Sequence, residues 1–154
     1  MQYLDLLGFY GPAILGLLNL LCLWCYNSYF SAFIIGYIGS FFLNGFLKHI
    51  IREPRPANQR HINEHDRPNH ADRFGMPSGH AQMTGYAITF LYLVVRNPCL
   101  LVISVFIGAL TVFQRYAYRR HTATQLFAGL TVGATTAYML YEYTKTRLET
   151  QLIL

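Results

Sequence analysis

Five stretches of the chain are apolar almost throughout. The first runs from about Leu4 to Tyr26, the second from about Tyr29 to Leu47 and the third from Ser78 to Val95. The fourth runs from Cys99 to about Phe113 and the fifth from His121 to about Tyr143. Each approaches the roughly 20 apolar residues that a bilayer-crossing helix needs. Five such segments leave too little polar face to meet water, which argues against a soluble helical bundle. The pattern predicts an all-α, polytopic membrane helix bundle of about five transmembrane helices, with 1–154 as a single domain.

The breaks between segments carry the turn chemistry. Asn27-Ser28 reads as the first turn, with Trp24, Tyr26 and Tyr29 as an interfacial aromatic belt. Gly11-Pro12 marks either a kink or a late start of the first helix. Arg96-Asn97-Pro98 is a tight turn, and a polar tail follows Tyr143. Lys48 to Ser78 is different: Pro54, Pro56, Pro68 and Pro77 break it up, and a loop of that length in a small chain is usually functional or disordered. On the fifth segment, Gly129 and Gly133 form a G-x-x-x-G with Ala137 on the same face, which suits close helix packing in lipid. The third segment has 18 residues, roughly 27 Å of helix, which matches the thinner endoplasmic-reticulum bilayer of about 27 Å.

Composition agrees with this pattern. Of the 154 residues, 53% are hydrophobic and 12% charged, about half the charged fraction of a soluble domain. The net charge of +5 is concentrated in two places, the long loop with Lys48, Arg52, Arg55, Arg60, Arg67 and Arg73, and the cluster Arg115, Arg119 and Arg120. Such patches suit an anionic partner. No recognisable nucleic-acid module accompanies them, and their position at the ends of apolar segments suits a phosphorylated lipid. Cys22 and Cys25 form a C-x-x-C inside an apolar run, which reads as packed or lipid-facing rather than redox or metal-binding. The N-terminus lacks a basic n-region, so the first segment is expected to be a retained helix.

Three polar groups stand at segment ends: K-H-I-I-R-E-P-R-P from Lys48, P-S-G-H from Pro77, and R-Y-A-Y-R-R-H from Arg115. With five spans, the catalytic loops 48–80 and 114–121 fall on one side of the membrane, so the three groups can meet. Lys48, Arg55 and Arg115 can surround phosphate oxygens, and arginine's planar fork binds phosphate in a bidentate way. Ser78 and Gly79 open the third helix, where free N–H groups favour an anion, glycine allows close backbone approach, and the Ser78 hydroxyl adds a donor.

These motifs resemble the type 2 phosphatidic acid phosphatase superfamily, whose signature is K-x6-R-P, P-S-G-H and S-R-x5-H-x3-D. Lys48, Arg55 and Pro56 match the first motif, Pro77 to His80 the second, and Arg115 and His121 the third. Gln114 replaces the usual Ser, and Gln125 the usual Asp. Arg52-Glu53-Pro54-Arg55-Pro56, Gly75-Met76-Pro77-Ser78-Gly79-His80 with Gln82, and His121-Thr122-Ala123-Thr124-Gln125 are most similar to the dolichyl-diphosphate phosphatase branch. Six spans are common in the superfamily, against five counted here.

The resemblance implies His121 as the nucleophile, through a phosphohistidine intermediate, and His80 as general acid and then base. It implies no metal and no cofactor. Gln125, at i+4, can reach back so that its carbonyl oxygen accepts from His121 Nδ1 and leaves Nε2 to attack. An amide cannot stabilise imidazolium charge as an aspartate would. The expected reaction is hydrolysis of a polyprenyl (dolichyl-type) diphosphate. The alternatives are a phosphatidate or lipid phosphate phosphatase, or a catalytically weak lipid-binding scaffold that Gln114, Gln125 and the helix count would favour. A metal group built from His61, His65 and His70 with Glu64, Asp66 and Asp72 has loose spacing and is disfavoured. Arg119 and Arg120 suit lipid headgroups or a second phosphate. Counting positive charge puts the site in the cytosol, whereas the resemblance implies the endoplasmic-reticulum lumen, and the latter is preferred.

Overall fold

A computed structural model describes residues 2–63, 66 and 73–153. Among these residues the chain forms five helices: α1 (Gln2–Leu23), α2 (Asn27–Ile51), α3 (Gly79–Val95), α4 (Pro98–Ala117) and α5 (Ala123–Ile153). No strand occurs among them, and Pro54 and Phe74 form an isolated antiparallel bridge across the long loop. The protein is an all-α membrane bundle.

Several boundaries differ from the expectation. Pro12 lies inside α1, which starts well before it. The first turn falls at Trp24-Cys25, and Asn27 already begins α2. At its far end α2 continues past Lys48 to Ile51 and stops on Arg52, whose backbone is left-handed at φ 54°. The residue after it is Glu53, which enters the Pro-rich run. At the next boundary, Asn97 caps α4 by accepting from the amides of Cys99 and Leu100, with Pro98 in the first turn, where its missing N–H costs nothing. The tail after Tyr143 is helical to Ile153, with an exposed Lys145–Glu149 pair at 3.9 Å. Cys22 and Cys25 are free thiols.

Three helices, α1, α2 and α4, are long and apolar enough to cross a membrane. They carry many of the outward-facing apolar side chains, such as Leu17, Ile35, Phe42, Val102 and Phe106, and α5 adds Phe127 and Met139. α3 has 17 residues and packs against all four other helices. Its surroundings are protein, so it needs less lipid-facing apolar surface, and it buries Gln82 and Thr84 beside Tyr86 and Phe90.

Lipid tails are as apolar as leucine, so helices in a bilayer associate through close packing and interhelical hydrogen bonds. Both devices appear around α3. A Cβ on Gly129 would strike the carbonyl of Ser78, and one on Gly133 the carbonyl of Gln82. The G-x-x-x-G of α5 therefore seats on the first turns of α3, with Ala137 buried further along. Between α2 and α3, Gln82 Nε2 donates to Ser40 O and Oγ at 2.8 and 3.0 Å. Asn44 Nδ2 donates to Gln82 Oε1 at 2.8 Å and to Pro77 O at 3.1 Å. These contacts fix the start of α3 against the ends of its neighbours.

Candidate active site at one end of the bundle

Helix direction alternates along the chain, so the end of α2, the start of α3, the end of α4 and the start of α5 share one end of the bundle. The start of α1 joins them. Phe9 lies under the Arg115 guanidinium at 5.1 Å and beside the His80 ring at 5.6 Å. The expected residues Lys48, Arg55, Ser78, Gly79, His80, Arg115, His121 and Gln125 all gather here. The charges of Arg55 and Arg115 reach both the His80 and His121 rings, and that of Lys48 reaches His121.

His121 sits just before α5 and is buried. Its Nδ1 lies 3.0 Å from Gly75 O and 3.2 Å from Gln125 Oε1. Its Nε2 lies 3.2 Å from Arg55 Nη1. Both Nδ1 partners are acceptors and arginine only donates. The ring is therefore neutral, with its proton on Nδ1 and its lone pair on Nε2. Burial, then the Arg55 and Lys48 charges, hold its pKa well below the ordinary histidine value, while the bond to Gln125 pulls the other way.

Gln125 is fully buried and its amide is fixed at both ends. Oε1 faces His121 Nδ1 and accepts from Thr122 N at 3.3 Å. Nε2 donates to Glu53 Oε1 at 2.7 Å and to Pro54 O at 2.9 Å. A flipped amide would set like against like at all four contacts. The expected i+4 contact to the imidazole is present, and Gly75 O shares the same proton. Gly75 also donates its N–H to Glu53 O at 2.8 Å, and a Cβ there would fall on the Gln125 carboxamide.

The second motif serves structure as well as the site. Ser78 is buried, its Oγ accepts from Ala81 N at 3.4 Å, and its N–H donates to Gln125 O at 3.0 Å. The serine thus caps α3 and ties it to α5. A Cβ on Gly79 would lie 3.1 Å from Asn44 Oδ1, so glycine lets α2 approach α3 there. His80 follows at the first turn of α3, where orphan amides carry partial positive charge.

Arg115 differs most from the expectation of an open phosphate grip. It lies in the last turn of α4 and is buried. Nη1 donates to Asp66 Oδ1 at 2.8 Å, and Nε donates to Gln114 Oε1 at 2.6 Å. Nη2 is buried without a hydrogen-bond partner among the described residues. Asp66 Oδ1 also lies 3.5 Å from Arg120 Nε. The long loop thus sends the Asp66 carboxylate between two arginines at this end of the bundle. Gln114, a departure from the family pattern, orients the guanidinium. Other loop basics are structural: Arg60 Nη2 donates to Ala117 O at 2.7 Å and its guanidinium stacks on Tyr118, and Arg120 Nη1 donates to Gln59 Oε1 at 2.7 Å and contacts His61 Nδ1 at 2.9 Å.

Among the described residues no group of three or more His, Cys, Asp or Glu side chains could hold a metal. Asp66 and His61 are instead engaged with arginines, and Glu64, His65, His70 and Asp72 lie outside the described residues. Sequence reasoning missed the Gly75 carbonyl, Phe9 and Asn44, weighed Asp66 only as a metal ligand, and gave Glu53 no role. Asn44 had a signal, being a polar residue four positions after Ser40 on an apolar helix.

Cationic groups, a helix start and a neutral histidine whose Nε2 faces Arg55 make a candidate site for an anion at the end of a membrane bundle. The PAP2 superfamily model matches residues 26–149, most of the chain, and the chain belongs to that superfamily. Among curated proteins it is similar to the dolichyldiphosphatase of Saccharomyces cerevisiae (strain ATCC 204508 / S288c), with 30% identity over 108 residues. That match covers 64% of this chain and 44% of the relative, so the aligned part spans less than half of that protein. No solved structure matches the chain significantly.

Proposed function

We propose that the protein is a membrane lipid phosphatase that hydrolyses a polyprenyl diphosphate of the dolichyl type to the monophosphate and inorganic phosphate. The observation that carries this reading is the set of hydrogen-bond partners around the His121 ring. A proton held on Nδ1 by two carbonyl oxygens leaves the Nε2 lone pair facing the guanidinium of Arg55, where a terminal phosphoryl group would bind. Phosphoryl transfer depends chiefly on positioning and charge neutralisation, and Lys48, Arg55, Arg115 and the α3 amides supply both.

In the first step Nε2 attacks phosphorus and forms a P–N bond. The bond from phosphorus to the bridging oxygen breaks, and His80, which takes up a proton as the anionic substrate offsets the neighbouring arginines, passes it to the departing lipid monophosphate. In the second step His80 takes a proton from water, the water oxygen attacks phosphorus, and the P–N bond breaks to release inorganic phosphate. No metal or cofactor enters this scheme. The likeness to a dolichyldiphosphatase supports the substrate class, and a lumenal site in the endoplasmic reticulum is what the motif resemblance implies.

The test is phosphate release by the purified protein in detergent from polyprenyl diphosphate, polyprenyl phosphate and phosphatidate, with and without chelator. The diphosphate is expected to be the best substrate, turnover should survive chelator, and His121→Ala should lower it by about 10³-fold or more. Preference for phosphatidate would transfer the reading to a general lipid phosphate phosphatase. No release from any of the three would leave a lipid-binding scaffold.

A further inference from the structure

The superfamily pattern places an aspartate where this chain has Gln125, and an amide carries no charge to offset a positive imidazole. We propose that Glu53 supplies that charge at one remove, as a positioning residue acting on His121 through the Gln125 amide. The chain of contacts is continuous. His121 Nδ1–H donates to Gln125 Oε1 across 3.2 Å, and Gln125 Nε2–H donates to Glu53 Oε1 across 2.7 Å.

The physical basis is polarisation. A carboxylate accepting from one end of an amide draws its N–H outward and raises electron density on its oxygen. When Nε2 bonds to phosphorus with the proton still on Nδ1, the ring becomes positive. The Nδ1–H then donates more strongly to an oxygen that Glu53 has already enriched. No proton moves along the relay. The charge-assisted bond to Glu53 is the shorter of the two, as expected when one partner is ionised.

The surroundings hold the relay in register. Pro54 O takes the second amide proton of Gln125, and Thr122 N occupies the second lone pair of Oε1. Gly75 braces both ends, accepting from His121 through its carbonyl and donating to Glu53 O through its N–H. Arg55 faces the same ring at Nε2, and the positive charges of Lys48 and Arg115 also reach it. Glu53 is the negative group that this geometry joins to the ring. The inference rests on His121 as nucleophile.

The test is a charge swap. Glu53→Gln keeps an acceptor for Gln125 Nε2 and removes only the charge, so a purely structural role would leave it silent. Turnover is expected to fall about 10- to 100-fold with KM little changed, the usual range for groups that orient a reacting ligand from behind. Gln125→Asp alone sets two carboxylates against each other and should also be slow. The double variant Glu53→Gln/Gln125→Asp puts the negative charge directly on Nδ1–H and should recover to within about tenfold of wild type. Titration of the His121 ring by 15N NMR reads the same relay without turnover: the midpoint should move down in Glu53→Gln and up in the double variant. Wild-type turnover and an unmoved midpoint in Glu53→Gln would overturn the proposal. Inactivity of the wild-type protein on all lipids would instead overturn the phosphatase reading, and the NMR midpoints would still decide the relay.

Discussion

The two ends of the site solve opposite problems. Around His121 the partners are two carbonyl oxygens on one nitrogen and a guanidinium on the other, and the ring stays neutral. Around Arg115 the partners are a carboxylate and an amide, and the cation is buried with Asp66 against it. A buried charge without a partner costs several kcal/mol, whereas a buried neutral imidazole needs only its hydrogen bonds. The His121 corner is therefore assembled from backbone and an amide. The cation corner needs a counter-charge, and the long loop delivers it. An incoming phosphate would meet a histidine ready to attack and an arginine already engaged by an internal anion.

The largest effect on turnover should come from the first corner. Gln125→Ala removes the Oε1 acceptor and frees Glu53, and turnover is expected to fall about 10²- to 10³-fold, or roughly 3–4 kcal/mol in the barrier. Phosphate-release kinetics check it, and wild-type rates would take Gln125 out of the chemistry.

Next comes the second corner. Asp66→Ala leaves Arg115 and Arg120 buried without their carboxylate. Removing one partner of a buried pair costs about 3–5 kcal/mol, which should appear as a lower melting temperature in detergent. Inorganic phosphate should raise that temperature more in the variant than in the wild type, because the anion can take the vacated place. Equal responses would mean that Asp66 does not stand where phosphate binds.

The smallest effect joins the corners. His121 protonates well below the ordinary histidine range, so the acid limb of kcat/KM should lie below that range too. Burial is the larger cause and Arg55 the next. Arg55→Gln removes a positive neighbour and makes protonation easier, so the limb should move upward, towards the usual value near 6.5, without reaching it. A stationary limb would show that Arg55 does not hold the ring neutral.

The helices and the clustering of eight site residues were legible because both depend on local pattern and parity. Apolar runs of nearly bilayer length become helices, and four alternations bring Lys48, His80, Arg115 and His121 to one end. The i+4 reach of Gln125 followed from helix geometry alone. Boundaries were less legible: Pro12 is absorbed into α1, and the polar tail beyond Tyr143, rich in good helix formers, continues α5.

The chain's own order of residues was enough to predict the helical class and the shared end of the bundle, and its motifs pointed to His121 as the candidate nucleophile. Tertiary structure alone decided that Glu53 stands behind Gln125, that Asp66 reaches Arg115, and that Gly75 shares the His121 proton. Those contacts join residues 72, 49 and 46 positions apart. Where an irregular loop lands is fixed by the surfaces that receive it, which no periodicity records.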